Sequence, residues 1–238
     1  MRGLVSQRRI EMRPTLAGDG AARAGHMQPM ASPRIPPDSA FEDAARARLG
    51  PDALICGVDE VGRGPWAGPV CAGAVILDPA AIPPGLGDSK ALSAAKREAL
   101  SAQLLACAQC GLGWASVEEI DGLGLGPAAD LAMTRAIAAL PAAPHWAIID
   151  GRRLPRGLLQ PGEAVIKGDA RSLSVAAASI LAKVARDAEM DRLALEHPEF
   201  AWDKNRGYGT AAHQGALKQW GVTPHHRRSF KPIHKMLV

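Results

Sequence analysis

GVDEVGRGPWAGPVCAGAVIL, residues 57–77, puts two adjacent acids, Asp59 and Glu60, at the end of an apolar run and follows them with Gly62-Arg63-Gly64. Short apolar runs bounded by Gly and Pro read as buried strands. The run over 53–59 is therefore a strand, and so is 70–77 after the Gly and Pro turns. The short connection makes the two antiparallel neighbours. Carboxylates at the end of a core strand need a reason to be there.

Further along, residues 40–48 read as a short helix ending near Gly50-Pro51. Residues 92–110 read as a helix, with Ser89 or Ser93 as its cap. Residues 113–120 alternate like a third strand. A helix is expected over 127–140, a short apolar strand over 146–149 and another over 164–167. A long helix follows over 172–197, then a shorter one over 210–220 and a basic tail. Strands cluster first and later alternate with helices. That order gives an α/β fold on a mixed sheet, antiparallel at one side and parallel at the other.

Three of these strands run into acid: Asp59-Glu60, Asp150, and Lys167-Gly168-Asp169. Carboxyl ends of strands in an α/β sheet gather at one edge, where ligands bind. Four carboxylates there would repel one another in a partly desolvated site. A divalent cation neutralises them, and oxygen-only ligands select Mg²⁺ or Mn²⁺ over zinc. Strand neighbours point to opposite faces, so Asp59 and Glu60 share a site if the strand bends or ends between them. Gly62 and Gly64 offer such a break. Acids at strand ends also serve as turn formers and helix caps, and spacing alone leaves both readings open.

Bulk properties bound the rest. The chain has 238 residues, 47% hydrophobic and 22% charged, enough for one sizeable core. Its net charge of +4 suits a polyanionic partner without requiring one. No run approaches the roughly 20 apolar residues of a membrane span. Cys107 and Cys110 form a CxxC with no second ligand pair, so the four cysteines are expected as free thiols in a reducing, cytoplasmic setting. Residues 1–37 are rich in Arg, Gly and Pro, lack an apolar segment of a secretory signal, and are expected as a disordered extension. Residues 38–238 then form a single domain, with a helical and basic C-terminal segment from about residue 198.

Longer motifs carry a resemblance. DEVGRGPWAGPV resembles the opening signature of the bacterial type 2 ribonucleases H, the ribonuclease HII family. Asp88-Ser89-Lys90 with Leu92-Ser93, SVAAASILAKVARD from Ser174, GYGTAAH from Gly207 and HHRRSF from His225 resemble its later segments in order. The likeness runs from about Ala53 to Pro232. Ala91 departs from the lysine that the family often has there. Arg63 in the Gly-Arg-Gly argues against the related ribonuclease HIII group.

The resemblance implies a ribonuclease H-like mixed five-stranded sheet flanked by helices. It implies Asp59, Glu60, Asp150 and Asp169 as catalytic metal ligands for two Mg²⁺ or Mn²⁺ ions. It implies hydrolysis of RNA in RNA–DNA hybrids and nicking 5′ of single ribonucleotides in duplex DNA, leaving 5′-phosphate and 3′-hydroxyl ends. Gly62, Arg63 and Gly64 resemble the element that senses the ribose 2′-hydroxyl, where glycines let the backbone approach a sugar. Tyr208, the only tyrosine, resembles the residue that packs on the sugar at the RNA-to-DNA junction. Lys90, Lys183 and Arg186 are candidates for phosphate contacts, solvated helix charges being the alternative for Lys183 and Arg186. The basic tail could lie along the duplex or stand free in solvent. Nucleic acid is the expected partner, a monomer the expected state, and the C-terminus shows no docking motif for a sliding clamp. A silent hybrid-binding protein of the same fold, or an exonuclease acting from an end, would share parts of this pattern.

Overall fold

The computed structural model describes residues 36–87 and 89–238. The extension expected over 1–37 lies outside them except for Pro36 and Pro37, and Asp88 also lies outside.

Five strands form one mixed sheet in the order β3-β2-β1-β4-β5. β1 (Ile55–Val61) pairs antiparallel with β2 (Val70–Ile76), with Asp59 opposite Gly73 and Glu60 opposite Ala72. β2 pairs antiparallel with β3 (Gln109–Ala115). On the other side β1 runs parallel to β4 (Trp146–Asp150), and β4 parallel to β5 (Gly162–Val165). This is the antiparallel-then-parallel sheet expected from the order of elements.

Helices cover both faces, and their small residues set the spacing. α5 (Leu173–Glu196) lies on one face through Ala177, Ala178 and Leu181, together with α2 (Ala94–Cys107). α4 (Leu125–Ala138) lies on the other through Ala128, Ala129, Ala132 and Ala136. A Cβ on Gly57 would stand 2.1 Å from the Ser174 carbonyl carbon, and one on Gly113 would stand 2.1 Å from the Ala132 oxygen. Backbone packs directly on backbone at both places, so only glycine fits.

Three expected boundaries move. β5 closes at Val165, not Lys167, so Asp169 follows on a 3-10 turn and does not end a strand. β3 begins at Gln109, so Cys110 is on a strand and α2 stops at Cys107. Residues 117–123 are helical, not extended: α3 (Val117–Leu123) starts on a capping box in which Ser116 and Glu119 satisfy each other's backbone N–H groups. That Ser-x-x-Glu spacing outweighs the alternation of the preceding strand. All four cysteines are free, Cys56 and Cys71 fully buried. Burial pushes both of those thiols up to about 12.

The C-terminal residues are neither free nor extended. α6 (Trp202–Asn205), α7 (Ala211–Trp220) and α8 (Lys231–Leu237) build a second apolar cluster with the last turns of α5. Phe200, Trp202, Leu217 and Ile233 fill it. The basic tail docks through Ile233, through buried His226 and Arg227, and through Arg228 and Ser229 N–H groups that donate to Asp121. Before the sheet, α1 (Ala40–Leu49) contributes Glu42, whose buried Oε1 accepts from the Ser174 N–H at 2.9 Å and so caps α5.

Candidate active site

β1 does not break between its acids. Ladder pairing continues through Asp59, Glu60 and Val61, and the chain turns only at Gly62. Alternation therefore separates the two side chains. Cys56 and Val58 belong to the core beneath α4, so Glu60 points to that face and Asp59 to the α5 face. Both lie at the carboxyl end of β1. Reaching one site from two faces works here because the strand ends one residue later.

Asp150 closes β4, the parallel neighbour of β1, so the two strands deliver their acids to the same edge. Asp169 sits in the one-turn 3-10 helix Gly168–Ala170 that leads into α5, after Lys167 adopts a left-handed φ of 57°. The Gly168 N–H donates to Asp150 Oδ1 at 2.7 Å and ties this turn to β4. The Glu60 N–H donates to Asp59 Oδ1 at 2.8 Å. The Ser179 hydroxyl on α5 favours the charged form of Asp59 and stands 2.7 Å from that of Ser89.

Electrostatics shows that the four carboxylates share one field. Burial pushes the Asp59 carboxyl well above the usual range, and the charges of Glu60, Asp150 and Asp169 push it further. Glu60 is raised by burial and by Asp150, against the pull of Arg63, whose Nη1 is 3.1 Å from its Oε1. Asp150 is raised by burial and by Asp169, against the Gly168 N–H and Lys90. Lys90 Nζ lies 3.9 Å from Asp169 Oδ2, on a side chain that is 83% exposed. Four carboxylates against Arg63 and Lys90 leave negative charge in excess.

That donor set fits a hard divalent cation. Its ligands are all oxygen, with no imidazole or thiolate among them. Among the described residues no group of three His, Cys, Asp or Glu side chains is drawn together as a formed metal cage. Glu60 is turned toward Arg63, Asp150 toward Gly168 and Asp169 toward Lys90.

Beside the acids runs the Gly62-Arg63-Gly64 turn. Gly62 has φ of 94°, and a Cβ there would meet Arg186 Nε at 2.1 Å. Gly64 lies under the Tyr208 ring, where a Cβ would stand 3.1 Å from Cε1. Tyr208 is half exposed. The turn is held by two buried arginines. Arg227 donates to the carbonyls of Gly62 (2.6 Å), Arg63 (3.0 Å), Gly68 (2.8 and 2.9 Å) and Pro69 (3.3 Å). Arg186 donates to Pro69, Arg206 and Ala67. With the carbonyls drawn inward to the guanidinium groups, the turn keeps a fixed shape.

Several expected residues thus come together: Asp59, Glu60, Asp150, Asp169, Gly62, Arg63, Gly64, Lys90 and Tyr208. Arg186 is corrected. It is 1% exposed and spends its donors on the backbone, so no phosphate reaches it. Sharing a helix side with Lys183 gave no hint of this. Lys183 pairs with Asp187 at 2.6 Å and keeps 22% of its side chain exposed. Sequence reasoning missed Arg227, Ser179 and the buried pair His213 and His226. Arg227 was hidden in a run of basic residues that looked solvated, and only its apolar neighbour Phe230 hinted at burial.

Comparisons with known proteins identify the family. A family model described as Ribonuclease HII matches residues 56–233. Ribonuclease HII of Ruegeria pomeroyi is 60% identical over 183 residues, covering 77% of this chain and 78% of that protein. Ribonuclease HII of Jannaschia sp. is 56% identical over 197 residues, covering 79% of this chain and 99% of that protein. The crystal structure of ribonuclease H2 from Pyrococcus horikoshii superposes with a TM-score of 0.66 at 28% identity, covering 76% of this chain and 96% of that one.

Proposed function

The chain belongs to the ribonuclease HII family and is an endoribonuclease that cleaves RNA in RNA–DNA hybrids; on that premise we propose that Asp59, Glu60, Asp150 and Asp169 carry the chemistry and that the turn at Gly62–Gly64, with Tyr208, selects the ribonucleotide. The observation that supports this most is the shared field, in which Asp59 is raised by all three of the other acids.

The carboxylates act as holders of positive charge. Asp59 and Asp150 lie on rigid strand ends, and Asp169 is tied to β4 by the Gly168 N–H, so three ligands have little freedom to reorganise. Two divalent cations, Mg²⁺ or Mn²⁺, would supply water activation and stabilisation of the departing 3′ oxygen when bound there. A cation held by Glu60 would compete with Arg63, and the half-exposed guanidinium would then be available to a phosphate. Lys90, largely exposed beside Asp169, is placed for the same task.

Selection needs one 2′-hydroxyl to be read. Arg227 holds the carbonyls of Gly62 and Arg63 inward, so the outer side of the turn can present backbone to a sugar without a side chain in between. The Tyr208 ring, packed beside Gly64 and half exposed, offers an aromatic surface to the next sugar. Phosphate contacts carry no sequence information, so weak base preference and strong salt dependence follow. Lys90 and Arg63 are the candidates for phosphate contacts beside the acids, and Lys183 is held by Asp187 at 2.6 Å.

The test uses a labelled DNA duplex with one internal ribonucleotide, in Mg²⁺, Mn²⁺ or EDTA, with an all-DNA control. A single nick 5′ of the ribonucleotide in either metal, and none in EDTA, is expected. Asp59→Asn should abolish the nick and retain duplex binding. An Asp59→Asn protein that cuts at the wild-type rate would remove these acids from the chemistry.

A further inference from the structure

Tyr208 is the exposed end of a buried chain of hydrogen bonds whose proton positions are fixed at both ends. The Thr223 N–H lies 3.0 Å from His226 Nδ1. A backbone N–H can only donate, so Nδ1 of His226 is bare and its proton is on Nε2. That Nε2 is 3.0 Å from His213 Nε2. The Trp202 indole N–H, another obligatory donor, lies 3.2 Å from the same His213 nitrogen. His213 Nε2 therefore accepts, and its own proton is on Nδ1. Nδ1 stands 3.0 Å from the Tyr208 carbonyl oxygen, which can only accept. Three groups with a single possible role each agree on one arrangement: Thr223 N–H to His226, His226 to His213, His213 to Tyr208.

Both imidazoles and the indole are fully buried. Thr210 N–H also donates to the Tyr208 carbonyl at 2.8 Å, closing a tight turn around it. On the other side, Gly207 O accepts from the Trp66 N–H at 2.8 Å, which ties the same segment to the loop that follows Gly64. The Tyr208 backbone is thus held from two directions. One is the loop beside Gly64, and the other is the C-terminal segment 223–226, which reaches it through the two imidazoles.

We infer that His213 and His226 are positioning residues for ribonucleotide selection, acting through the Tyr208 carbonyl to hold the phenol ring over Gly64. This rests on the reading of Tyr208 as the junction sensor. A neutral pair of imidazoles suits the task better than a single side chain. Each ring is rigid, each has one donor and one acceptor, and together they span from residue 223 to the Tyr208 backbone with no unpaired nitrogen. Protonating either ring would place two donors face to face and break the chain.

The experiment measures nicking at a single embedded ribonucleotide and cleavage of an RNA–DNA hybrid, and reads their ratio, for wild type, Tyr208→Ala, His213→Gln, His213→Asn and the double variant Tyr208→Ala/His213→Gln. Gln places its amide near the Nε2 position and cannot reach Tyr208, whereas Asn keeps a donor where Nδ1 stood. His213→Gln should lower the ratio about fivefold, the size of one lost hydrogen bond. His213→Asn should restore most of it, and the double variant should match Tyr208→Ala alone. A residue that only stabilised the fold would lower both activities together, or would add to the Tyr208→Ala effect, and either result overturns the inference. If Tyr208→Ala itself leaves the ratio unchanged, the sensor reading fails instead. Should the His213 variants fail to fold, imidazole ¹⁵N spectra of the wild type decide. His213 protonated at Nδ1 and His226 at Nε2 are expected, and the opposite tautomer at either ring overturns the chain.

Discussion

Replacing Arg227 asks what the buried guanidinium does for the turn it holds. Two forces oppose each other. Burial and the nearby Arg186 charge disfavour the cation and pull its pKa down to about 9. Five hydrogen bonds to four carbonyls favour it. At neutral pH the group remains charged, so the balance appears in stability. Lysine keeps the charge but puts its donors at one point, and it can serve about two of the four carbonyls. Each carbonyl left unpaired costs about 1–3 kcal/mol. Arg227→Lys should therefore lose on the order of 2–4 kcal/mol, a large share of the roughly 5–15 kcal/mol that holds a domain together. Arg227→Met removes the desolvation penalty as well as every bond, and with the carbonyls of Gly62, Arg63 and Gly68 stranded, Pro69 keeping its bond from Arg186, it should be no more stable than the lysine variant. Urea unfolding followed by tryptophan fluorescence reads this directly, since Trp66 and Trp202 lie in the same region. With a slope of about 2 kcal/mol per molar, midpoints should fall by about 1–2 M. A methionine variant as stable as wild type, or more so, would refute the clamp: it would mean that the buried charge costs more than its bonds return.

Three further outcomes follow from the same geometry. In EDTA, Asp59→Asn should be more stable than wild type by on the order of 1–3 kcal/mol, because unit charges about 4 Å apart interact by about 4 kcal/mol at an effective dielectric of 20 and three acids repel this one; added Mg²⁺ should stabilise the wild type and leave the variant unmoved, as thermal unfolding will show. Gly62→Ala should cost about 2–4 kcal/mol, since it forces a φ of 94° on a residue with a Cβ and drives that atom into Arg186, which three carbonyls hold in place; an unshifted melting temperature would contradict it. His226 is pulled down to about 3 by burial first and by His213 second. An unfolded imidazole titrates near 6.5. Between about pH 6.5 and 3 the unfolded chain holds a proton that the native one lacks, so this residue's contribution is full above 6.5 and is lost as pH falls, at about 1.4 kcal/mol per unit. The raised carboxyls act in the opposite sense. The slope is therefore read as a difference, with His226→Gln expected to show a shallower acid loss than wild type.

Much of the site was legible because its signals are local. Gly-Val-Asp-Glu-Val-Gly-Arg-Gly states a strand, its acids and its turn in eight residues, and β1 obeys it. The parallel side of the sheet followed from the order of the elements, and β1 and β4 do run parallel. What sequence could not show is burial of charge. Arg186 and Lys183 sit three apart on one helix, yet one is sealed against carbonyls and the other pairs with Asp187. The difference lies in what faces each from residues more than a hundred positions away, at Ala67 and Pro69 for Arg186. Arg227 and Arg228 are adjacent, and one holds the turn from within while the other offers only its N–H to Asp121.

These long-range ties also explain why the C-terminal segment cannot be a loose basic tail. Gly62 needs Arg227 from that segment, and Tyr208 needs His213 and, through it, His226. The four acids come from the sheet and the 3-10 turn that leads into α5, a scaffold that is complete by residue 196. On the proposed reading, the cleaving acids and the Gly62–Gly64 turn come from the sheet, whereas Tyr208 and the groups that hold it and the turn come from the C-terminal segment. A lesion at 223–227 should spare the carboxylate edge and blur the choice of substrate. On the proposed reading, the sheet edge carries the cutting chemistry and the docked tail shapes the choice of substrate.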